Sequence, residues 1–277
     1  MKLFVTDLDG TLLNRNREVT EYSKNIINNL IEQGIKFTVA TARTPATAVE
    51  ILDGLDLNIP VALMNGALIY DVKKEEYIDI KSIEKASVDK VLNIIEGHNK
   101  NALVYGIRDN HLWVYHKDFE NPWEVNFYKE RINKPLKTFY KVINYGEVIS
   151  NSEIVNFVVF GEKEIIRNIY KQVQDVEEVY ATYYEDVYYP GGYCLEIHSS
   201  KASKAEGIRF LSRYVEHNKL VCFGDNFNDI PMFQIADECY VTDNGVEEVK
   251  KIATAVIGSC EDDGVAKFLN KYYNTNN

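Results

Sequence analysis

Two aspartates near the start of the chain, Asp7 and Asp9, follow a short apolar run. If the extended backbone of that run continued, both carboxylates would point to the same side. Neighbouring carboxylates repel each other, and a hard cation such as Mg²⁺ would relieve that repulsion by binding their oxygens. Taken alone, the pair is better explained as a solvated turn, because Asp-Gly favours turns.

Polar residues also follow three further apolar runs. These segments are TAR at 41–43, NG at 65–66 and GDNFND at 224–229. In an open parallel sheet, ligands bind beyond the carboxyl ends of the strands. We therefore expect these segments to meet the Asp7–Asp9 pair at one sheet edge, with Asp225 as a third carboxylate.

Carboxylates of this kind suit the transfer of a phosphoryl group, a reaction in which positioning and cations dominate. One carboxylate can attack phosphorus and form an acyl phosphate. A second can protonate the leaving alcohol and then deprotonate the incoming water. Asp7 and Asp9 fit this pair of roles, although their spacing does not show which residue is the nucleophile.

Thr41 and Lys204 are candidate anion-binding residues. Thr41 precedes a helix predicted to begin near Thr44, and helix starts bind anions; a simple helix-entry role explains Thr41 equally well. Lys204 lies at the start of another predicted helix, where the helix dipole mildly disfavours a cation. That position suggests a compensating phosphate, although most such lysines are merely solvated and Lys201 is a nearby competitor.

Two Asn-Gly pairs favour turns. Asn65-Gly66 lies between apolar residues, which predicts a hairpin, and Asn65 could touch the phosphate as well. Asn244-Gly245 is interpreted as a simple turn.

Alternating strands and helices are predicted to position these residues. The early strands are 3–6, 37–40 and 61–64, with helices 20–33 and 44–55 between them. The late strands are 220–223, 239–241 and 255–257, with helices 203–217, 229–236, 246–252 and 265–273. This rhythm predicts an α/β fold with a doubly wound, mostly parallel Rossmann-like sheet.

The middle of the chain has a different pattern, which predicts an inserted α+β domain. Its predicted helices are 83–97 and 163–173, with a hairpin formed by 103–105 and 112–115 and strands at 154–160, 180–189 and 193–197. We expect a core formed by 1–82 and 191–277, and a cap domain of roughly 110 residues, 83–190, which is an ordinary domain size.

Composition limits the classes of function. The hydrophobic fraction is 45%, the charged fraction is 26% and the net charge is −11, as in a soluble globular protein. The acidic surface argues against a nucleic-acid partner. No apolar run is long enough to span a membrane and no secretory signal is apparent, so we expect a cytoplasmic protein, either a monomer or a weak homo-oligomer. The four cysteines have no zinc-site spacing and are interpreted as buried thiols.

Four segments occur in the order of the four motifs of the haloacid dehalogenase superfamily: DLDGT at 7–11, TAR at 41–43, Lys204, and GDNFND at 224–229. GVAKFL at 264–269 is similar to the closing helix of that family. The chain resembles the Cof-type phosphatases, which carry a large α/β cap between the second and third motifs. No glycine-rich dinucleotide or P-loop motif supports another chemistry.

The resemblance implies a magnesium-dependent phosphatase acting on a small phosphorylated metabolite, with Asp7 as nucleophile and Asp9 as acid/base. The implied Mg²⁺ ligands are Asp7, the main-chain carbonyl of Asp9, and Asp225, with Asp229 in support. The implied phosphate-binding residues are Thr41, Ala42, Lys204 and Asn228. A phosphomutase of the same superfamily and a non-catalytic phosphate-ligand sensor are the alternatives.

The chain departs from the family pattern at two places. Ala42 stands where the second motif usually has glycine, and the stretch at 241–245 differs from the usual Gly-Asn-Ala. Alanine still permits a backbone amide contact unless the site needs a positive φ. Asp243 could alter the charge of the cleft.

Overall fold

The computed structural model describes residues 2–185 and 191–276. The chain divides into two compact units, one formed by Met1–Asp79 with Ser203–Asn277 and the other by Ile80–Ala202. We call them the core unit and the insert unit.

The strands are β1 (Lys2–Thr6), β2 (Lys36–Val39), β3 (Val61–Leu63), β4 (Leu68–Asp71), β5 (Glu76–Ile80), β6 (Leu103–Arg108), β7 (His111–His116), β8 (Lys137–Lys141), β9 (Glu153–Gly161), β10 (Val179–Glu185), β11 (Tyr193–Ser199), β12 (Lys219–Gly224), β13 (Glu238–Thr242) and β14 (Ala255–Ile257). The helices are α1 (Glu21–Glu32), α2 (Pro45–Ala48), α3 (Lys85–Gly97), α4 (Pro122–Arg131), α5 (Gly146–Ile149), α6 (Lys163–Val173), α7 (Lys204–Tyr214), α8 (Ile230–Phe233), α9 (Glu247–Lys250) and α10 (Gly264–Asn276).

A five-stranded parallel sheet organises the core unit, in the order β14-β13-β12-β1-β2. Helices cover both of its faces. On one face, Leu3 and Val5 share a buried cluster with Ile208 of α7. On the other, the ring of Phe4 packs against that of Tyr272 in α10, with 5.9 Å between the ring centroids. Successive side chains of β1 therefore pack against the helices on opposite faces of the sheet. The predicted doubly wound sheet is confirmed.

The third predicted strand does not extend this parallel sheet. β3 pairs antiparallel with β4, and its parallel contact with the neighbouring segment is an isolated bridge between Ala40 and Ala62. The Asn65-Gly66 hairpin is confirmed, with φ of 53° at Asn65 and 82° at Gly66. Because the chain reverses at this turn, β3 joins a separate sheet with β4 and β5.

The helix predicted over 44–55 is wrong in its length, since α2 ends at Ala48 and turns follow it. Thr47, Val49 and Ile51 are β-branched, which lowers their helix propensity. Gly54 then adopts a φ of 82°, a left-handed conformation that ends the segment.

The insert unit has a six-stranded sheet in the order β10-β11-β9-β6-β7-β8. Its strands are antiparallel neighbours except for β7 and β8, which run parallel. The predicted hairpin is present as β6 and β7, and α3 and α6 bury their apolar sides in one cluster against the sheet. α4 and β8 were not predicted from the sequence, although Asn121 followed by Pro122 is a helix-start signal. In the structure, the Asn121 side chain accepts from Glu124 N at 3.0 Å.

The boundary expected at residue 191 needs correction. β11 pairs with both β9 and β10, so residues 191–202 belong to the insert unit, and the core unit resumes at Ser203. The first boundary falls after Asp79 instead of after residue 82. The end of the strand predicted over 180–189, together with Pro190, lies outside the described residues.

Among the described residues, no helix combines the length and the apolar character needed to cross a lipid bilayer.

Candidate active site

Asp7 lies buried at the carboxyl end of β1. Its backbone N–H donates to Phe223 O on β12 at 2.9 Å, which fixes it at the sheet edge. The strand does not continue past this point, because Leu8–Leu12 forms a tight turn with Gly10 at a φ of 75°. The backbone therefore departs from the extended conformation under which the carboxylates of Asp7 and Asp9 would point to the same side.

Lys204, at the first turn of α7, contacts two carboxylates. Its Nζ lies 2.8 Å from Asp7 Oδ1 and 2.6 Å from Asp229 Oδ1, and all three side chains are almost fully buried. Burial alone would lower the pKa of Lys204, but the two carboxylates together raise it. Burial raises the pKa of Asp7 to about 7, with Lys204 opposing this change and Asp229 adding to it. Lys204 is thus held as a buried cation directly against Asp7.

The carboxylate of Asp229 accepts three hydrogen bonds from the protein. Oδ1 accepts from Lys204, and Oδ2 accepts from the backbone N–H groups of Asp225 at 2.9 Å and Asn226 at 3.0 Å. A Cβ at Gly224 would lie 2.5 Å from Asp229 Cγ, so this strand end requires glycine. Asp229 orients both Lys204 and the loop that carries Asp225.

Asp7, Asp225 and Asp229 each offer a carboxylate oxygen, and these oxygens all lie within 4.8 Å of one another. Burial, with Asp229 adding, raises the pKa of Asp225 to about 6. Three close carboxylates beside one lysine leave an excess of negative charge that partly buried oxygens do not tolerate well. Hard oxygen donors with excess negative charge fit Mg²⁺.

Asp9 is not a member of this carboxylate group. Its side chain is 53% exposed and binds Arg43, whose side chain is 16% exposed. Arg43 Nε donates to Asp9 Oδ2 and Nη2 donates to Asp9 Oδ1, both at 2.6 Å. The main-chain carbonyl of Asp9 stays its only predicted link to a metal.

The structure connects the other candidate anion-binding residues through Asn65. The Asn65 N–H donates to Thr41 O at 2.9 Å, and Asn228 Nδ2 donates to Asn65 Oδ1 at 3.4 Å. Thr41 is buried, with its Oγ1 accepting from Arg43 N at 3.2 Å, and Ala42 is exposed beside it. The second and fourth motifs therefore meet in the core unit.

Sequence reasoning assigned no role to several residues that build this site. Arg43 binds Asp9, Thr11 Oγ1 donates to Asp225 Oδ1 at 3.1 Å, and Asn244 donates to the Gly10 carbonyl. Arg43 and Thr11 lie inside the motifs quoted above, which was the available signal. Asn244 was interpreted as a turn residue, and its bond to the Gly10 carbonyl is visible only in the structure.

Known proteins resemble the chain over nearly its whole length. The 5-amino-6-(5-phospho-D-ribitylamino)uracil phosphatase YitU of Bacillus subtilis (strain 168) is 23% identical over 276 residues, covering 98% of this chain and 97% of that protein. Among solved structures, the phosphatase BT1666 from Bacteroides thetaiotaomicron has a TM-score of 0.76 at 20% identity, covering 99% of this chain and 95% of that one. The subclass IIB sugar phosphatase BT4131 has a TM-score of 0.72 at 19% identity, covering 99% of both chains.

These structural matches share the fold, a parallel core sheet with a further antiparallel sheet. The family model for haloacid dehalogenase-like hydrolases matches residues 4–269, a range that includes every residue of the site described above. This match agrees with the order of the motifs and with the meeting of Asp7 with Lys204 and Asp225. The chain therefore belongs to the haloacid dehalogenase-like hydrolase family.

Proposed function

We propose that this chain hydrolyses small phosphorylated metabolites, sugar phosphates or similar esters, with Mg²⁺ and through a phospho-aspartate on Asp7. The broader class, a phosphatase of the haloacid dehalogenase superfamily and the Cof type, is confirmed by the family match and the similar phosphatases. One observation carries the finer proposal: the buried Asp7 carboxylate contacts Lys204 and lies in one group with Asp225.

In the first step, a carboxylate oxygen of Asp7 forms a bond to phosphorus while the bond from phosphorus to the ester oxygen breaks. Lys204 binds one oxygen of Asp7 at 2.8 Å, which orients the other oxygen. Asp9 gives a proton to the leaving alkoxide. In the second step, Asp9 takes a proton from water, the resulting hydroxide attacks phosphorus, and the bond to Asp7 breaks to release phosphate and restore the carboxylate.

The metal would be held by Asp7, Asp225 and the main-chain carbonyl of Asp9, with Asp229 in support, and would supply positive charge to the phosphoryl oxygens. Asp229 already accepts from three protein donors, and we also assign it to orienting Lys204 and Asp225.

Phosphate binding is assigned to Thr41, Ala42, Lys204 and Asn228. The link from Thr41 through Asn65 to Asn228 supports a shared anion site. Lys204 contributes its charge next to the attacking oxygen, where it offsets repulsion between the carboxylate and the phosphate.

The substrate class follows from what the similar proteins act on. YitU is a phosphatase of a phosphoribitylamino compound, and BT4131 is a sugar phosphatase. The substrates in both names are small phosphate esters, and we propose substrates of the same class for this chain. The insert unit would select the leaving group, and the reaction would take place in the cytoplasm.

The test measures phosphate release from a panel of sugar and polyol phosphates with Mg²⁺. Asp7→Asn should lower the rate by roughly a thousandfold or more, as loss of a nucleophile does, while Mg²⁺-dependent binding of inorganic phosphate persists. Asp53→Asn, which changes an exposed aspartate, is the matched control and should leave the rate unchanged. Acid quenching during turnover should trap phosphate on the wild-type chain and none on Asp7→Asn.

Three results would oppose the proposal. Full hydrolysis by Asp7→Asn would exclude the covalent mechanism. Turnover that requires a bisphosphate activator would indicate a phosphomutase. Tight phosphate binding by the wild-type chain without hydrolysis of any ester would indicate a sensor.

A further inference from the structure

The turn between β13 and α9 contacts the loop that carries the two catalytic aspartates. The Gly10 carbonyl oxygen accepts from Thr242 Oγ1 at 3.0 Å and from Asn244 Nδ2 at 2.7 Å. A carbonyl oxygen has two lone pairs, so these two donors use its full accepting capacity. Gly10 directly follows Asp9, so the orientation of the Gly10 peptide sets the direction of the backbone on the C-terminal side of Asp9.

Asn244 is itself oriented by a third segment of the core unit. Its Oδ1 accepts from Ser259 Oγ at 3.2 Å and from Cys260 N at 2.9 Å. The amide oxygen of asparagine only accepts and its NH₂ group only donates. The side chain therefore satisfies these partners and Gly10 in one orientation. Asn244 joins the segment Leu8–Leu12, here called the Gly10 loop, to the Ser259–Cys260 turn.

The Gly10 loop needs an external restraint because its own backbone is permissive. Gly10 has a φ of 75°, and glycine adopts many other conformations at little steric cost. The loop also passes close to Asp225, since a Cβ at Gly10 would lie 2.3 Å from Asp225 Oδ2. Thr11 on the same loop donates to Asp225 Oδ1. A small rotation at Gly10 would displace Asp9 and disturb Asp225 together.

We propose that Asn244 is a positioning residue of the phosphatase, which fixes the Gly10 loop, and with it Asp9, by donating to the Gly10 carbonyl. The inference rests on the proposed function, in which Asp9 is the acid/base and Asp225 binds the metal. Asn244 acts through Gly10 and touches no reacting atom. Because Asn244 is exposed, its replacement should affect catalysis far more than folding.

Three variants separate the contacts. Asn244→Asp retains an oxygen that accepts from Ser259 and Cys260 but loses the donor to Gly10. Thr242→Val removes the other donor to Gly10 without changing charge or shape, and so controls for the charge that Asn244→Asp adds. Ser259→Ala removes the longer of the two bonds to Asn244 Oδ1, together with a bond from Glu261 N to Ser259 Oγ. The bond from Cys260 N still orients Asn244 and both donors to Gly10 stay in place, so this variant is the matched control.

With para-nitrophenyl phosphate and Mg²⁺, Asn244→Asp should lower kcat by about 10- to 100-fold, the range that small misplacements produce, with KM changed less than about threefold. Thr242→Val should lower kcat in the same direction, and Ser259→Ala should stay within about twofold of the parent. Amide hydrogen exchange over Leu8–Leu12 should become faster in Asn244→Asp and stay unchanged in Ser259→Ala.

An unchanged kcat in Asn244→Asp, or unchanged exchange over Leu8–Leu12, would overturn the inference. Equal losses of kcat in Asn244→Asp and Ser259→Ala would also overturn it, because the effect would then not pass through Gly10. If the wild-type chain hydrolyses no phosphate ester, the proposed function fails, and the exchange measurement alone decides whether Asn244 holds the loop.

Discussion

Arg43 binds Asp9 through both carboxylate oxygens, with its Nε and Nη2 each donating at 2.6 Å. A guanidinium matches a carboxylate in this two-point geometry, which lysine does not reproduce. The pair fixes the direction of the Asp9 side chain although the residue itself is 53% exposed. Each carboxylate oxygen accepts one bond from Arg43 and keeps a further lone pair, so Asp9 can exchange a proton while Arg43 holds its direction.

Replacing Arg43 should therefore disturb turnover more than stability. We expect Arg43→Lys and Arg43→Ala each to lower kcat by about tenfold, because the Asp9 carboxylate loses its fixed orientation. The melting temperature should change little, since ion pairs with an exposed partner contribute little to stability. Steady-state kinetics and thermal unfolding of both variants measure this. A kcat fully restored by lysine would show that charge matters here and two-point geometry does not.

Lys204 should be essential to the stability of the core unit. Lys204→Met would leave the buried Asp7 and Asp229 without their cation, and breaking a buried pair in this way costs about 3–5 kcal/mol. Urea unfolding measures the loss. Lys201→Met is the matched control, because Lys201 is an exposed lysine that pairs with Glu84 and Glu178. It should leave the free energy of unfolding close to that of the parent, and a comparable loss in both variants would contradict the assignment.

Gly10→Ala should weaken Mg²⁺ binding as well as stability. The added Cβ would lie 2.3 Å from Asp225 Oδ2, so the carboxylate has to move. Gly34→Ala is the control for backbone strain alone, because Gly34 also has a positive φ, 93°, yet nothing lies within 4 Å of its added Cβ. Each variant should lose about 1–2 kcal/mol from the left-handed conformation. Only Gly10→Ala should lose the rise in melting temperature produced by Mg²⁺, and retention of that rise would argue against Asp225 as a ligand.

Stability without divalent metal should fall as the pH rises from about 4 to about 7. In the folded protein, burial raises the pKa of Asp7 from 3.8 to about 7 and that of Asp225 from 3.8 to about 6. The folded state therefore binds more protons than the unfolded state across this window, and unfolding becomes easier as those protons leave. The contribution is complete below pH 3.8 and lost above about 7.

Magnesium should reverse this trend, because it binds the ionised carboxylates and stabilises the folded state by mass action. The rise in melting temperature with Mg²⁺ should be larger at pH 7.5 than at pH 5, and chelation should remove it together with the activity. Asp225→Asn should reduce both the metal effect and the pH dependence. An equal Mg²⁺ effect at the two pH values would place the metal away from these carboxylates.

The sequence by itself determined which residues end the core strands. β1 and β12 are apolar runs followed by carboxylates, and parallel strands joined by helices must bring their carboxyl ends to one edge. Asp7 and Asp225, far apart in the chain, were expected to meet on that ground, and their carboxylate oxygens lie in one group. The Asn65-Gly66 hairpin followed equally from local turn chemistry.

Only the tertiary structure decided the partners of those side chains. The Asp9 side chain pairs with Arg43, and Asp229 accepts hydrogen bonds from Lys204 and from two backbone amides. Strand periodicity does not predict these contacts, because they depend on the backbone path after Thr6 and on segments that approach from elsewhere in the chain. The bond from Asn244 to Gly10 is of the same kind: local sequence fixes the turn, and packing alone fixes what the turn holds.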